Sequence, residues 1–221
     1  MIRHFEEELK QVKDRLVSMG ERVEAMINSA IRCIIDRNAE LKKIVQSNED
    51  EVNKTQIEID EICIALIALQ QPAAADLRFI TSAMKINSDL ERMGDQAINI
   101  IQHSIENAGI VPQPIKDIIS QMAEKVKSMV KRSLEAFLNK DLKTARAVLE
   151  SDDEVDNAKD DVYCRLTDFM KNDPHTINRS LDLLLISRNL ERIGDHATNI
   201  AEDVIYMVAG KDIRHHIMEN R

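Results

Sequence analysis

The chain has 221 residues, 43% of them hydrophobic and 31% charged, which is a composition typical of globular proteins. Its net charge of −9 disfavours general binding to nucleic acid, because a phosphate backbone repels an acidic surface. No stretch approaches the roughly 18 apolar residues of a membrane span, and the N-terminus lacks the apolar core of a signal peptide. We therefore expect a cytoplasmic protein with no nucleic-acid partner and no direct membrane insertion.

Few residues in the sequence interrupt helices, since there are only 5 Gly and 4 Pro. This scarcity predicts long helices. The cysteines Cys33, Cys63 and Cys164 are widely spaced and form no CxxC pair. Such cysteines are typical of reduced thiols in a cytosol, and we interpret them as small packed side chains.

Apolar residues at helical spacing predict a long, a short and two further long helices in the first half of the chain. Asn38 is placed to cap the short helix, and Ser47 or Asn48 to cap the long helix after it. Pro72 separates the last two helices, and the Gly- and Pro-containing stretch 109–114 is the clearest break in the sequence. The predicted helices cover residues 2–36, 39–46, 48–70 and 73–107.

The same succession of helices is predicted after this break. Asp141 is placed to cap a short helix, Ser151 or Asp152 begins a long one, and Gly210 is placed to end the last helix. The long helices are predicted at residues 115–138, 152–170 and 175–208. Each half is thus predicted to contain a long, a short and two long helices.

An internal repeat relates the two halves. The segment Leu90–Asp95 (LERMGD) recurs one hundred residues later as Leu190–Asp195 (LERIGD), and Glu51–Asn53 recurs at a slightly larger offset as Glu154–Asp156. We predict an all-α fold of two tandem, quasi-symmetric three-helix bundles, with six long helices and short connecting ones. The bundles are assigned to residues 1–110 and 111–221, and a fused six-helix body is the alternative.

Each repeat carries an acidic stripe on its last helix. Residues four apart share one helix face, so a Glu, an Asp and an Asn line up over successive turns. A solvated face would be the simple explanation, but the stripe borders the apolar arc of the helix, where unpaired carboxylates are rare. The stripes are Glu91, Asp95 and Asn99 in the first half, and Glu191, Asp195 and Asn199 in the second.

The preceding helix is predicted to add ligand atoms at the same height. Antiparallel helices joined by a short turn bring together residues that are equally far from that turn. Crowded carboxylates protonate or bind a cation, and oxygen ligands favour Mg²⁺, Mn²⁺, iron or Zn²⁺. The candidate metal ligands are Glu49, Asn53, Glu91 and Asp95 in the first half, and Asp152, Asp156, Glu191 and Asp195 in the second, with Asn99 and Asn199 extending the stripes.

Three glycines lie inside predicted helices, where glycine is unfavourable. Gly20 is expected to bend the first helix. Gly94 and Gly194 are expected to allow a close helix contact beside the carboxylates.

These segments together resemble the PhoU family. The resemblance rests on ERMGD at 91–95 and ERIGD at 191–195, on Gln71-Pro72, and on Asp76-Leu77-Arg78. It also includes the Val52-Asn53 and Val155-Asp156 pairs, and it extends over essentially the whole chain. The resemblance implies two three-helix bundles and a commonly dimeric protein.

The resemblance also implies a function. PhoU-like proteins are non-catalytic cytoplasmic regulators that connect the ATPase of the phosphate-specific (Pst) ABC transporter with a PhoR-type sensor histidine kinase. They help to keep the phosphate-starvation response off when phosphate is plentiful. Some hold multinuclear iron or zinc clusters on the ExxxD stripes, and others hold Mg²⁺-like ions. Asn53 departs from the acidic pattern, so the first half is expected to hold a weaker or differently populated site.

Three alternatives stay open at the level of sequence. A carboxylate-bridged enzyme of the ferritin-like oxidase type normally adds a Glu-x-x-His motif from two helices, whereas Gly94 and Gly194 follow the stripe glutamates here. A second alternative is a PhoU paralogue that serves another phosphate transporter. A third is a helical adaptor that binds no metal.

Overall fold

The computed structural model describes residues 2–105 and 111–213 and is built from helices, with no strand in these ranges. None of the helices in this part of the chain is long and apolar enough to cross a membrane. The predicted all-α class is therefore confirmed. The elements are α1 Ile2–Ile35, α2 Leu41–Gln70, α3 Ala74–Ile105, α4 Gln113–Asn139, α5 Leu142–Leu149, α6 Asp152–Asn172, a 3₁₀ turn Pro174–Thr176 and α7 Ile177–Ala209.

Two three-helix bundles follow one another along the chain, as the repeat predicted. Helices α1, α2 and α3 pack on one another, and α4, α6 and α7 do the same. Asp141 caps α5 by accepting hydrogen bonds from the N–H groups of Lys143 and Thr144, and Gly210 ends α7 in the left-handed conformation. The predicted end of the third long helix near Asn107 lies outside the described residues.

The predicted short helix over residues 39–46 is wrong, because α2 runs without interruption from Leu41 to Gln70. Asn38 does accept a hydrogen bond from the Glu40 N–H, at 3.1 Å, in the turn before α2. Asn48, by contrast, donates to the Ile44 carbonyl at 3.0 Å and so satisfies its side chain within the helix instead of capping a new one. Within the residues that the structure describes, a separate short helix occurs only in the second half.

The two bundles pack against each other along their last helices. Helices α3 and α7 form the most extensive contact between any two elements, and α1 also packs on α4. Lys85 Nζ lies 2.8 Å from Asp203 Oδ1, and Arg78 Nε donates to the Met207 carbonyl at 3.3 Å, so α3 and α7 are antiparallel. The buried apolar side chains of both halves belong to one continuous core. The domain bounds 1–110 and 111–221 stay a prediction.

Gly20 serves the contact between α1 and α4. Helix α1 continues through this residue, and a Cβ placed on it would overlap Leu134 Cδ1 of α4. The glycine therefore allows the two halves to approach closely.

Candidate functional site

The first acidic set lies between α2 and α3 and consists of Glu49, Asn53, Glu91 and Asp95. Burial raises the pKa of Glu49, the neighbouring Asp95 raises it further, and a hydrogen bond with Asn53 opposes the shift. Burial and Asp95 likewise raise the pKa of Glu91. The predicted facing arrangement is thus present, with the α2 residues beside the stripe on α3.

The second acidic set lies between α6 and α7 and consists of Asp152, Asp156, Glu191 and Asp195. Burial, followed by the carboxylates of Asp195 and Asp156, raises the pKa of Asp152 to about 6. The pKa of Asp195 is also raised, by burial first and then by Glu191 and Asp156. The carboxylates of Asp156, Glu191 and Asp195 thus all act on Asp152.

Lys159 belongs to the second set, although the sequence reasoning did not include it. Its Nζ lies 3.0 Å from Asp156 Oδ1 and 3.1 Å from Glu191 Oε1, so one ammonium bridges α6 and α7. The hydrogen bond to Asp156 and then that to Glu191 raise the pKa of Lys159 against the opposing effect of burial. The signal was available, because Lys159 follows Asp156 by three residues and so shares its helix face.

The repeat shows how this lysine balances the second set. Gln56 follows Asn53 at the spacing at which Lys159 follows Asp156. The first set has three carboxylates, whereas the second has four carboxylates and one ammonium, so both carry a formal charge of −3. The ammonium of Lys159 therefore compensates the charge of the additional carboxylate in the second set.

The two stripe asparagines are not part of these sets. Asn199 Nδ2 lies 3.5 Å from Asp89 Oδ1, and the same oxygen lies 2.9 Å from His196 Nδ1. Asn199 therefore faces the interface of α3 with α7, beside a groove of about 350 Å³ that Lys85 and Asp89 also line. Asn99 is half-buried and makes no hydrogen bond to the first set among the described residues.

Gly94 and Gly194 lie beside the carboxylates, but a residue larger than glycine would fit at either position. A Cβ on Gly194 would lie 3.5 Å from Val155 Cγ1 and 3.6 Å from Asp152 Oδ1, and one on Gly94 would lie 3.5 Å from Met26 Cε. These are ordinary van der Waals distances. An alanine methyl therefore fits at both positions, and the expected close helix contact does not depend on glycine.

The oxygen donor atoms and the negative charge of both sets suit a hard cation, but the side chains of neither set are already arranged around a metal position. Within residues 2–105 and 111–213, no group of three or more His, Cys, Asp or Glu side chains is arranged to hold a metal ion. The raised pKa values show that the crowded carboxylates favour a proton or a cation over their free charged forms. Binding a metal would therefore require side chains to rotate toward it and, in the second set, Lys159 to leave.

The sequence matches the PhoU domain twice, over residues 16–103 and 119–204. It is 38% identical to the phosphate-specific transport system accessory protein PhoU homolog of Pseudomonas aeruginosa, over 96% of this chain and 88% of that protein. It is 34% identical to the corresponding homolog of Clostridium acetobutylicum, over 95% of this chain and 96% of that protein.

Two solved structures share the fold. The crystal structure of PhoU from Pseudomonas aeruginosa superposes with a TM-score of 0.89 at 38% identity, over 94% of this chain and all of that one. The phosphate transport system regulatory protein PhoU from Streptococcus pneumoniae superposes with a TM-score of 0.86 at 26% identity, over 94% of this chain and 98% of that one. Two domain matches and relatives aligned over nearly their whole length thus establish that the chain belongs to the PhoU family.

Proposed function

We propose that this protein is a non-catalytic cytoplasmic accessory regulator of phosphate transport. In this proposal it connects the ATPase subunit of the Pst ABC transporter with a PhoR-type sensor histidine kinase and keeps the phosphate-starvation response off when phosphate is plentiful. The observation that carries the proposal is the near full-length match to relatives named as accessory proteins of phosphate-specific transport. The doubled bundle supports it, because two quasi-equivalent surfaces suit a scaffold with two partners, and a homodimer would multiply them.

The adaptor role is tested with purified protein and the two proposed partners. We expect the full chain to bind both the transporter ATPase and the cytoplasmic part of the kinase. Deletion of its gene is expected to raise a starvation-response reporter in phosphate-rich medium, and the intact gene is expected to restore repression. Failure to bind either partner, with and without added metal, would contradict the proposal.

We also propose that both acidic sets bind hard or borderline cations, such as Mg²⁺, Mn²⁺, iron or Zn²⁺, singly or as multinuclear clusters. Support comes from the facing carboxylates and from their raised pKa values. In the second set a cation competes with the ammonium of Lys159. In the first set Gln56 takes the matched position, and the arginine that acts on Glu91 is its helix neighbour Arg92. Lys159 thus argues against the expectation that the first half holds the weaker site.

A charge exchange between the halves tests this role of Lys159. Lys159→Gln is expected to strengthen Mn²⁺ binding at the second set about tenfold, and Gln56→Lys to weaken binding at the first by a similar factor, because a nearby ammonium repels the metal. Isothermal titration of the metal-free protein measures both affinities. Variants Glu91→Ala/Asp95→Ala and Glu191→Ala/Asp195→Ala assign each affinity to its set.

Lys171→Gln serves as the matched control, because Lys171 pairs with Asp168 on the exposed side of α6. It is expected to leave both affinities unchanged. If the two double-alanine variants bind as much metal as the wild type, the metal proposal is wrong, whereas the adaptor proposal is unaffected.

A further inference from the structure

A groove lies at the end of the first bundle, between the start of α1 and the turn that joins α2 to α3. Its volume of about 570 Å³ is within the range of about 300–1,000 Å³ that is typical of binding clefts. Phe5 and Leu9 of α1 line the groove, and both are half-buried side chains that pack on the core. The turn contributes Pro72 and Ala73, so the walls of the groove are largely apolar.

Exposed apolar side chains extend this surface beyond the groove. Leu69 and Leu77 flank the α2–α3 turn, and they are 77% and 40% exposed. Single exposed leucines are common, but an apolar groove with further leucines next to the residues that line it is typical of a surface that binds another protein. A protein segment is long enough to cover the groove and these leucines together, whereas a small molecule that fills the groove is not.

The charge at the groove is negative. Glu6 and Asp76 are the charged side chains among the described residues that line it, and both are exposed. A segment that carries lysine or arginine next to large apolar side chains would therefore complement both the apolar walls and their charge. An acidic segment would be repelled.

The repeat shows that the second bundle forms without a matching part of its first helix. Met26 of α1 corresponds to Met129 of α4, since both are fully buried and lie at the same place in the two domain matches. By the same offset Leu9 corresponds to Pro112, which directly precedes α4. The wall at Leu9 thus belongs to a part of α1 that extends beyond the repeated helix, and packing of a bundle does not require it.

We propose that this groove binds a basic, amphipathic segment of a partner protein. The segment buries large apolar side chains against Phe5 and Leu9 and places lysine or arginine beside Glu6 and Asp76. Burial of the apolar side chains drives binding, and the two carboxylates select the charge of the segment. The proposal deepens the adaptor role proposed above and rests on it for the choice of a protein as the ligand.

A second copy of this chain is a poorer occupant of the groove. A symmetric contact places the same surface of both copies together, so Glu6 and Asp76 of one copy would face the same carboxylates of the other. Each copy also carries a net charge of −9, which adds to the repulsion. A basic partner is attracted by the same charges.

The test uses the full-length, metal-free protein and a fluorescein-labelled synthetic peptide of about 15 residues, composed of leucine and lysine in an amphipathic helical pattern. Fluorescence anisotropy measures binding at constant ionic strength. We expect saturable binding of this peptide, and binding about tenfold or more weaker when glutamate replaces its lysines. In NMR spectra the methyl signals of Leu9 and Ala73 are expected to shift, whereas those of Val52 and Val155, beside the acidic sets, are expected to stay unchanged.

Two variants at exposed positions alter the groove without removing a core side chain. Ala73→Trp fills the groove, and Glu6→Gln/Asp76→Asn removes its charge. Each variant is expected to weaken binding of the leucine–lysine peptide about tenfold.

Two further variants are the matched controls and are expected to bind the peptide as the wild type does. Asn178→Trp adds the same side chain at an exposed position in the first turn of α7, and Glu61→Gln/Asp168→Asn removes two exposed carboxylates elsewhere. The proposal is overturned if the leucine–lysine peptide does not bind saturably, if both groove variants bind it like the wild type, or if the glutamate peptide binds equally well. A dimer that Ala73→Trp dissociates in size-exclusion chromatography would assign the groove to a second copy and overturn the proposal as well.

Binding to the transporter ATPase and the kinase separates this proposal from the adaptor role. If the wild type binds either partner and Ala73→Trp binds it equally well, the groove proposal is overturned and the adaptor role stands. If the peptide binds in the groove but the full chain binds neither partner, the adaptor role is wrong, and the groove is a site for another partner of the same chemistry.

Discussion

Several carboxylates of the two acidic sets are partly buried and repel one another in the folded protein. Glu49, Glu91, Asp152 and Asp195 all have a raised pKa, and burial is the first cause in each case. Residues selected for stability alone would rarely be so crowded, because each ionised carboxylate destabilises its neighbours. The proposed binding of a cation would relieve this repulsion, and the cost of the repulsion is measurable without a cation.

Asp152 offers the sharpest test, because its folded-state pKa of about 6 exceeds its ordinary value of 3.8. The folded protein thus holds this proton more tightly than the unfolded chain does. The proton bound to Asp152 therefore stabilises the folded protein at low pH, and this stabilisation is lost as the pH rises through about 6. Asp152→Asn, which imitates the protonated form, is expected to stabilise the metal-free protein by about 1 kcal/mol at about pH 7.5, a value reduced for solvent screening.

Urea denaturation of both proteins measures this difference in the free energy of unfolding. The gain is expected to shrink at about pH 5, where wild-type Asp152 is largely protonated. Asp168→Asn, at an exposed position near the end of α6, is the control and is expected to change little at either pH. An equal gain at both pH values would contradict the explanation.

At the scale of helices, the three glycines inside helices have different roles, although each lowers the stability of its helix by a similar amount. Gly20 lies where α1 approaches α4, and a side chain there would have to displace the end of the Leu134 side chain. Gly94 and Gly194 have room for a methyl group and are not explained by packing.

Substitution by alanine is therefore expected to have opposite signs at these positions. Gly94→Ala and Gly194→Ala should each stabilise the metal-free protein by about 0.5–1 kcal/mol, the usual gain over glycine in a helix. Gly20→Ala should destabilise it by about 1–2 kcal/mol, because overpacking outweighs that gain. Chemical denaturation measures all three. If the cost of Gly20→Ala persists unchanged in a Leu134→Ala background, the overlap is not its cause.

At the scale of the whole molecule, two repeats share one core. Helices α3 and α7 pack together more extensively than either packs on any other single helix, and the interface includes the Lys85–Asp203 and Asp89–His196 pairs. Each half alone would expose the apolar face that its partner covers. The repeat is therefore a unit of sequence and topology, and we expect the pair of repeats to be the unit that is stable on its own.

We accordingly expect the full chain to unfold in a single cooperative transition. The separate fragments 1–110 and 111–221 should lose helical content or self-associate, and they should regain native-like circular dichroism when mixed. Far-ultraviolet circular dichroism, dye binding to exposed apolar surface and size-exclusion chromatography measure this. Two monomeric fragments with native stability would show that each bundle is an independent domain.

The sequence by itself determined the all-α class, the two repeats and the helix faces that carry the acidic residues, because helical period is a local property. It predicted Asp141 as a cap correctly, and it predicted a helix boundary at Asn48 wrongly, because that side chain bonds back within α2. Only the tertiary structure decided what surrounds each charge. The bridge of Lys159 between Asp156 and Glu191 depends on how closely α6 and α7 pack, a distance that the sequence pattern does not give.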